Sequence, residues 1–321
     1  MPFKPRLFLP LLVAVLASVP LVAAAQTPLR LVIGGPAGGN ADLAARLASE
    51  KLGQLMGTTV VVENRPGAGG VVGAEYVKNA KPDGTIVGLV TVSNAANETL
   101  TRNKSYSLVT DLDPVGLYVW LANVLIVTPA IPARSVAELV TVLKARPMTD
   151  YASGGPGSPG HLSGETFKLR TGVAMNHIPY KGAPPAVLSV MTGETSLMFS
   201  TASAALPQIR AGKVKGLAVT SQSRLSELPD IPTLAEAGLG TIDVADWVGF
   251  VVPKGTPSDV KQKLHEALAA AYADPAVREK LEKNTMQTAQ PPLGPAAFGA
   301  FLAKDVAKWA RTIQEANIKA E

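Results

Sequence analysis

The strongest constraint on the fold is a glycine-rich stretch at residues 31–47, Leu-Val-Ile-Gly-Gly-Pro-Ala-Gly-Gly-Asn-Ala-Asp-Leu-Ala-Ala-Arg-Leu. An apolar run that ends at Ile33 predicts a buried strand. Four glycines and a proline then form a turn, and Asn40 or Asp42 is a candidate cap of the following helix. Glycines let backbone N–H groups approach a ligand, and a helix N-terminus favours an anion. The stretch is therefore suited to a carboxylate or phosphate, although a plain strand-to-helix connection is the alternative.

The same succession of strand, glycine turn and helix recurs along the chain. A second strand is predicted at 58–63, before the glycines of 67–70, and a third at 85–91. In the second half, a short strand at 151–153 precedes the glycine-rich residues 154–160. Strands that alternate with helices predict parallel sheets, whose carboxyl ends carry the ligand sites.

Two long extended stretches, residues 112–128 and 243–252, interrupt this alternation. We predict that they carry the chain between two doubly wound α/β lobes and back again. The last third of the chain is predicted to be helical, with no new strand of its own. Lobe I is then expected to comprise residues 26–124 and 247–321 and lobe II residues 125–246, with a cleft between their glycine-rich edges.

The first 25 residues have the pattern of a secretory signal peptide. Lys4 and Arg6 precede an apolar run at 7–22, and Ala23 to Ala25 supply the small residues of a cleavage site. The chain has no cysteine, which excludes disulfides and thiolate metal sites. Its net charge of +5 is not gathered into basic clusters, so nucleic acid is not a predicted partner. We expect a soluble, monomeric periplasmic protein.

The sequence offers little support for catalysis. The chain has three histidines, none with a metal-ligating neighbour at useful spacing, so no metal site is predicted. His265 lies among charged residues and is expected at the surface. The glycines of 67–73 are one residue too widely spaced for a dinucleotide fingerprint, and no cofactor is predicted. A secreted α/β hydrolase that uses Ser158 and His161 remains an alternative, although Ser158 lacks the first glycine of a nucleophile elbow.

Taken together, several motifs resemble one family, the periplasmic solute-binding proteins of tripartite tricarboxylate transporters, called Bug proteins. The motifs occur in family order over nearly the whole chain after the signal segment. They are Pro-Ala-Gly-Gly-Asn-Ala-Asp at 36–42, Glu-Asn-Arg-Pro-Gly-Ala-Gly-Gly at 63–70, Pro-Asp-Gly-Thr at 82–85, the turn at 153–161, Ile-Pro-Tyr-Lys-Gly at 178–182, the stretch 228–238, Trp-Val-Gly at 247–249 and Pro-Lys-Gly-Thr-Pro at 253–257.

The resemblance implies a type II periplasmic-binding-protein fold that closes on a small carboxylate. It also implies that one ligand carboxylate lies between residues 37–42 and 155–161, and that inner-membrane transporter subunits receive the ligand. A module that presents its ligand to a sensor is an alternative with the same pocket. The predicted ligand-binding residues are Ala37, Gly38, Gly39, Asn40, Asp42, Ser93, Gly157, Ser158, His161, Tyr180, Ser200 and Thr201.

Two positions depart from the family pattern. Ser196 stands where the family usually has an acidic residue before the Met-Phe strand end. Gly34 and Gly35 replace a common proline–aromatic pair, so an aromatic wall is missing and a bulkier ligand is expected to fit. The neutral hydroxyls of Ser200 and Thr201 predict neutral hydrogen bonding at the far end of the ligand.

Overall fold

The structure is a computed structural model that describes residues 27–101, 103–239 and 244–318. The predicted signal peptide, residues 1–25, lies outside these ranges. None of the helices within them has the length and apolarity that a membrane crossing requires.

The first half of the chain alternates strands and helices as predicted. Its elements are β1 (Leu29–Ile33), α1 (Asn40–Met56), β2 (Val60–Asn64), α2 (Val71–Lys78), β3 (Ile86–Thr91), α3 (Val92–Leu100) and β4 (Leu112–Leu121). β3 leads directly into α3, because Thr91 caps that helix: its Oγ1 accepts the N–H of Ser93 at 3.3 Å. Ser93, one of the predicted contact residues, and its neighbour Asn94 therefore lie in the first turn of α3.

The middle of the chain repeats this alternation in shorter elements. They are β5 (Asn123–Val127), α4 (Val136–Ala145), β6 (Thr149–Ser153), α5 (Pro159–Thr171), β7 (Met175–Pro179), α6 (Ala183–Thr192), β8 (Leu197–Thr201), α7 (Ala202–Arg210) and β9 (Lys215–Val219). α5 begins directly after the predicted glycine turn, with Ser158 as its N-cap and Pro159 at its first position.

The last part of the chain contains a strand that we did not predict. Its elements are β10 (Asp246–Pro253), α8 (Ser258–Ala273), α9 (Pro275–Lys283), β11 (Met286–Leu293) and α10 (Pro295–Glu315). The expectation that this third adds no strand is therefore wrong. β11 pairs with β4 at the edge of a sheet, and its register shifts between Thr288 and Leu293, where Pro291 and Pro292 lie. An edge strand tolerates proline because one side of its backbone needs no partner.

The strands form two sheets with the same core order. One sheet has six strands in the order β11-β4-β10-β3-β1-β2, and the other has five in the order β7-β6-β8-β5-β9. In the first sheet β1, β2 and β3 are parallel and their next neighbour β10 is antiparallel to them. In the second sheet β6, β7 and β8 are parallel and their next neighbour β5 is antiparallel to them. Helices cover both faces of both sheets, so the predicted doubly wound, two-lobed α/β fold is confirmed.

The chain passes between the sheets at two places. β4 ends at Leu121 in the first sheet and β5 begins at Asn123 in the second. The return runs from the end of β9 to Asp246, where β10 inserts between β3 and β4. The exact division of residues between the two lobes as moving bodies stays a prediction.

Large aromatic side chains fill the core near the second crossing. Trp247 is completely buried and meets Phe298 and Phe301 edge to face. Its Nε1 donates to Asp305 of α10 at 3.0 Å, which satisfies the polar end of the ring. This aromatic residue is therefore part of the core.

The expectation that His265 lies at the surface is wrong. It is half-buried on α8, and its Nδ1 lies 2.7 Å from the hydroxyl of Tyr118 on β4. The charged neighbours of His265 suggested a fully exposed helix face, but this side of α8 packs on the first sheet.

Candidate functional site

The glycine turns of the two lobes meet where the parallel strands of each sheet end. A cavity of about 300 Å³ opens there. It is lined by six glycines and by small, apolar and hydroxyl- or amide-bearing residues, namely Ile33, Gly34, Gly35, Pro36, Ala41, Pro66, Gly67, Ala68, Gly69, Gly70, Leu89, Thr91, Ser93, Asn94 and, from the second lobe, Gly154. This is the position at which open α/β sheets bind ligands, and the volume suits a small molecule.

A larger cavity of about 670 Å³ lies on the other side of the crossings, between β11 and the segment after β9. It contains none of the predicted contact residues among the side chains that line it. Its Arg224 is already paired with Glu236. The smaller cavity therefore fits the predicted chemistry better.

In the first lobe, a carboxylate side chain fixes the turn between β1 and α1. Gly38, which has a positive φ of 79°, donates its N–H to Asp42 Oδ2 at 2.9 Å. Arg46, one turn further along α1, donates to the same carboxylate at 2.9 and 3.0 Å. Burial alone would raise the pKa of Asp42, but the hydrogen bonds from Arg46 and Gly38 outweigh it and hold that pKa below its usual value.

This geometry corrects which N–H groups are available to a ligand. The N–H groups of Gly38 and Gly39 were expected to face the ligand, but they bond to Asp42 and to the carbonyl of Pro36. The first-turn N–H groups of α1, at Asn40, Ala41 and Asp42, have no carbonyl within the helix to receive them. Ala37 is exposed to solvent.

A second glycine turn, at residues 67–70, is held by two asparagines that the sequence analysis did not single out for this role. Asn97 Nδ2 donates to the carbonyls of Ala68 and Gly69 at 3.3 and 2.9 Å. Asn94 Nδ2 donates to the carbonyl of Gly70 at 3.3 Å. The signal that could have revealed them is their spacing of three residues, which puts both amides on one face of α3.

In the second lobe, the turn between β6 and α5 is built from Gly157, Ser158 and His161. Ser158 Oγ accepts the backbone N–H of His161 at 3.3 Å and so caps α5. The ring Nδ1 of His161 accepts the N–H of Gly157 at 3.1 Å. The Ser158 hydroxyl thus bonds to the backbone of His161 and not to its ring, and the ring Nδ1 bonds to the turn, so the hydrogen bonds give no support to the hydrolase alternative. The N–H of Gly157, which was expected to contact the ligand, therefore also has a hydrogen-bond partner within the protein.

Hydrogen bonds between described residues join the lobes beside the cavity. Ser203 Oγ, in α7, donates to Asn40 Oδ1 at 2.9 Å. Ser93 Oγ donates to the carbonyl of Gly157 at 3.3 Å. The structure therefore brings the predicted residues Asn40, Ser93 and Gly157 together and shows the lobes in contact. Ser93 also lines the cavity, whereas Asn40 and Gly157 lie beside it.

The remaining predicted residues lie at the end of the second sheet. Ser200 is fully buried, and its Oγ donates to the carbonyl of Thr201 at 3.1 Å. Thr201 and Tyr180 are half-buried, and the Tyr180 hydroxyl is buried without a hydrogen-bond partner. Asn123, which the sequence analysis missed, pairs with Thr201 at the same edge. It is 1% exposed, and its Nδ2 also has no partner.

The comparisons with known proteins decide the family. A family model described as "Tripartite tricarboxylate transporter family receptor" matches residues 44–318. The chain belongs to this family. The resemblance given by the motifs is confirmed, and the chain is a solute-binding protein of the periplasmic type, not an enzyme. The described residues contain no group of histidine and acidic side chains that could hold a metal ion.

Several relatives match about nine tenths of this chain. BugT of Bordetella pertussis is 33% identical over 296 residues, which are 91% of this chain and 90% of BugT. The structure of the R. palustris protein Rpa4515 with adipate is 31% identical, covers 92% of this chain and 99% of that one, and has a TM-score of 0.82. MatC from Rhodopseudomonas palustris with bound malate is 26% identical, with 90% and 99% coverage and a TM-score of 0.78.

Proposed function

We propose that this receptor captures a small carboxylate in the cavity of about 300 Å³ between its lobes. The observation that carries the proposal is the lining of that cavity, which brings the glycine turns at 34–36 and 66–70 together with Ala41 of the first turn of α1. Free N–H groups in a first helical turn attract an anion, and the helix dipole adds to the attraction. The relatives with adipate and malate support a carboxylate as the ligand class.

We propose that neutral backbone N–H donors, rather than a cationic side chain, bind the ligand carboxylate. Arg46 is close to the turn, but its guanidinium is already paired with Asp42 at 2.9 Å. A carboxylate held by backbone dipoles needs no desolvated counter-charge, which lowers the cost of opening the site for release. Asp42 is proposed to act by shaping the turn, because its own charge would repel an anion in direct contact.

The far end of the ligand is proposed to meet the edge of the second sheet. Asn123 Nδ2 and the Tyr180 hydroxyl are buried donors without partners, and each such group is costly unless an acceptor reaches it. Together with the half-buried hydroxyl of Thr201, they would satisfy a neutral or carboxylate oxygen of the ligand. Ser158, His161 and Ser200 are proposed to support this surface from behind.

Binding is proposed to work by closure of two bodies. Residues 26–124 with 247–321 would move against residues 125–246, about the crossings near Ala122 and Asp246. A ligand shifts such an equilibrium only by its differential affinity for the closed form, which the groups of both lobes supply. The protein would act as a monomer in the periplasm after removal of residues 1–25 and pass the ligand to membrane subunits of a transporter.

The test is thermal unfolding of residues 26–321 against mono-, di- and tricarboxylates, amino acids and aromatic acids. A ligand at about one hundred times its Kd adds roughly 2.7 kcal/mol, which is a shift of a few degrees for a chain of this size. A shift confined to one carboxylate class supports the proposal and names that class. No shift with any acid, together with a shift for neutral sugars, contradicts the carboxylate proposal and leaves the fold unchanged.

A further inference from the structure

Two histidine rings stack face to face beneath the turn of the second lobe. His161 comes from α5 and His177 from β7, and their ring centroids are 3.8 Å apart with an interplanar angle of 4°. His161 is 5% exposed, and its neighbour is half-buried. The two rings come from separate elements, so the stack joins the helix to the sheet under the turn.

Each ring is also bonded to the turn itself. His161 Nδ1 accepts the N–H of Gly157 at 3.1 Å. His177 Nε2 lies 2.6 Å from the hydroxyl of Ser153, which in turn accepts the N–H of Gly155 at 3.0 Å. The pair therefore reaches the turn at two points on either side of Pro156, and together these contacts fix its shape.

The hydrogen bond from Gly157 requires a neutral His161, because a protonated Nδ1 has no lone pair to accept it. Burial lowers the pKa of both histidines to about 4. The charge of Lys168 contributes to both shifts, and at His177 His161 also lowers the pKa while Glu165 raises it. Glu165 and Lys168 pair with each other at 2.9 Å, and Tyr151 donates to Glu165. Above about pH 5 both rings are therefore neutral.

Given the carboxylate site proposed above, we infer that His161 and His177 are positioning residues for it. Their stacked neutral rings hold residues 153–158 in the shape that faces the ligand, and neither ring contacts the ligand. The Nδ1 of His161 is occupied by Gly157 and one face of its ring is covered by His177, so these parts of the ring serve the turn. The pair also limits the acidity at which the site keeps its shape.

The first experiment measures the hydrogen exchange rate of the Gly157 amide by NMR, without any ligand. His161→Asn places an oxygen near the position of Nδ1, and we expect an exchange rate within about threefold of the wild-type rate. His161→Leu removes the acceptor, and we expect exchange at least about tenfold faster, the equivalent of one hydrogen bond. His265→Asn, at the histidine of the first lobe, is the matched control and leaves the rate unchanged.

The second experiment measures affinity for malate and adipate between pH 8 and pH 3.5. At pH 7.5 we expect affinity within about threefold of wild type for His161→Asn and about tenfold weaker binding for His161→Leu. Beyond the loss that protonation of the acid itself causes, the wild-type affinity falls further as the pH passes through 4, because the folded-state pKa of both rings is lowered to about 4. The double variant His161→Asn with His177→Gln loses this part of the fall, while the titration of the acid itself is common to both proteins.

Two results would overturn the positioning role. One is a Gly157 amide that exchanges equally slowly in the wild type and in His161→Leu. The other is a His161→Asn variant that keeps the slow exchange but binds as weakly as His161→Leu, which would show direct contact between ring and ligand. If the wild type binds no carboxylate, the proposed function fails by itself, and the exchange rates still decide whether the histidine holds the turn.

Discussion

In both lobes the N–H of a glycine just before a helix is bonded to a side chain of that helix, but the side chain differs between the lobes. In the first lobe, Gly38 has a φ of 79° and donates its N–H to Asp42, four residues further on. In the second lobe, Gly157 has a φ of 68° and donates to His161, again four residues further on. Each glycine precedes the N-cap, and each acceptor is the third residue of its helix.

The difference between the acceptors follows from their surroundings. Asp42 has Arg46 beside it, half exposed, so a charged carboxylate is neutralised there. The ring of His161 is buried against His177, where an ion would be costly and a neutral acceptor is not. Topology thus fixes where an acceptor must stand, and the local environment fixes whether it carries charge.

The largest expected effect comes from two corresponding glycines, one directly after β1 in the first lobe and one directly after β6 in the second. A Cβ on Gly34 would lie 2.6 Å from Gly70 Cα, whereas a Cβ on Gly154 would lie 3.3 Å from the carbonyl carbon of Gly182. We expect Gly34→Ala to lower the free energy of unfolding by about 3 kcal/mol and Gly154→Ala by about 1 kcal/mol, measured by chemical denaturation. Gly35→Ala, whose Cβ meets nothing closer than 3.9 Å, is the control. An equal loss of unfolding free energy in Gly34→Ala and in Gly35→Ala would contradict the close packing of Gly34 against Gly70.

A smaller effect is expected when the acceptor of the first lobe is removed. Asp42→Leu leaves the Gly38 N–H and Arg46 without their partner and should cost about 2 kcal/mol of unfolding free energy, against about 1 for Asp42→Asn. The pKa of Asp42 is lowered in the folded state, so its contribution is present above the ordinary carboxyl pKa and is lost as the pH falls below it. The gap between wild type and Asp42→Leu should therefore narrow at acid pH. A gap that widens on acidification would refute this assignment.

The smallest effect is expected at the contact between the lobes. Ser203→Ala removes the hydrogen bond to Asn40 and should weaken binding of malate or adipate about twofold to fivefold in calorimetry, because that bond forms only when the lobes meet. The unfolding free energy should change by less than about 0.5 kcal/mol. Ser49→Ala is the matched control, since the Ser49 hydroxyl bonds only within its own helix, to the carbonyl of Arg46. Unchanged affinity in Ser203→Ala would show that this bond does not stabilise closure.

The alternation of strands and turns was sufficient to predict the two sheets, but β11 could not be seen in this way. Its sequence, Met-Gln-Thr-Ala-Gln-Pro-Pro-Leu, lacks the alternation of a half-buried strand and contains two prolines. It becomes a strand because β4 offers an unpaired edge, which is a property of the tertiary structure.

The location of the site was predictable, whereas its available donors were not. Glycine turns and helix starts can be recognised in the sequence, and they lead to the correct sheet edges. Whether the N–H of Gly38 or Gly157 is free depends on which side chain bonds to it, and a spacing of four residues alone does not reveal such a bond. The buried amide of Asn123 gave no local signal either, because its burial results from the crossing of the chain.

The position of β10 has a consequence for the order in which the protein can form as it is synthesised. Because β10 lies between β3 and β4, the first ninety or so described residues have a gap at the centre of their sheet until Asp246–Pro253 emerges. The five strands of the second sheet, by contrast, come from one continuous segment that ends at Val219. The part of the chain that is made first is therefore completed last, and its strand edges stay open while the later lobe assembles.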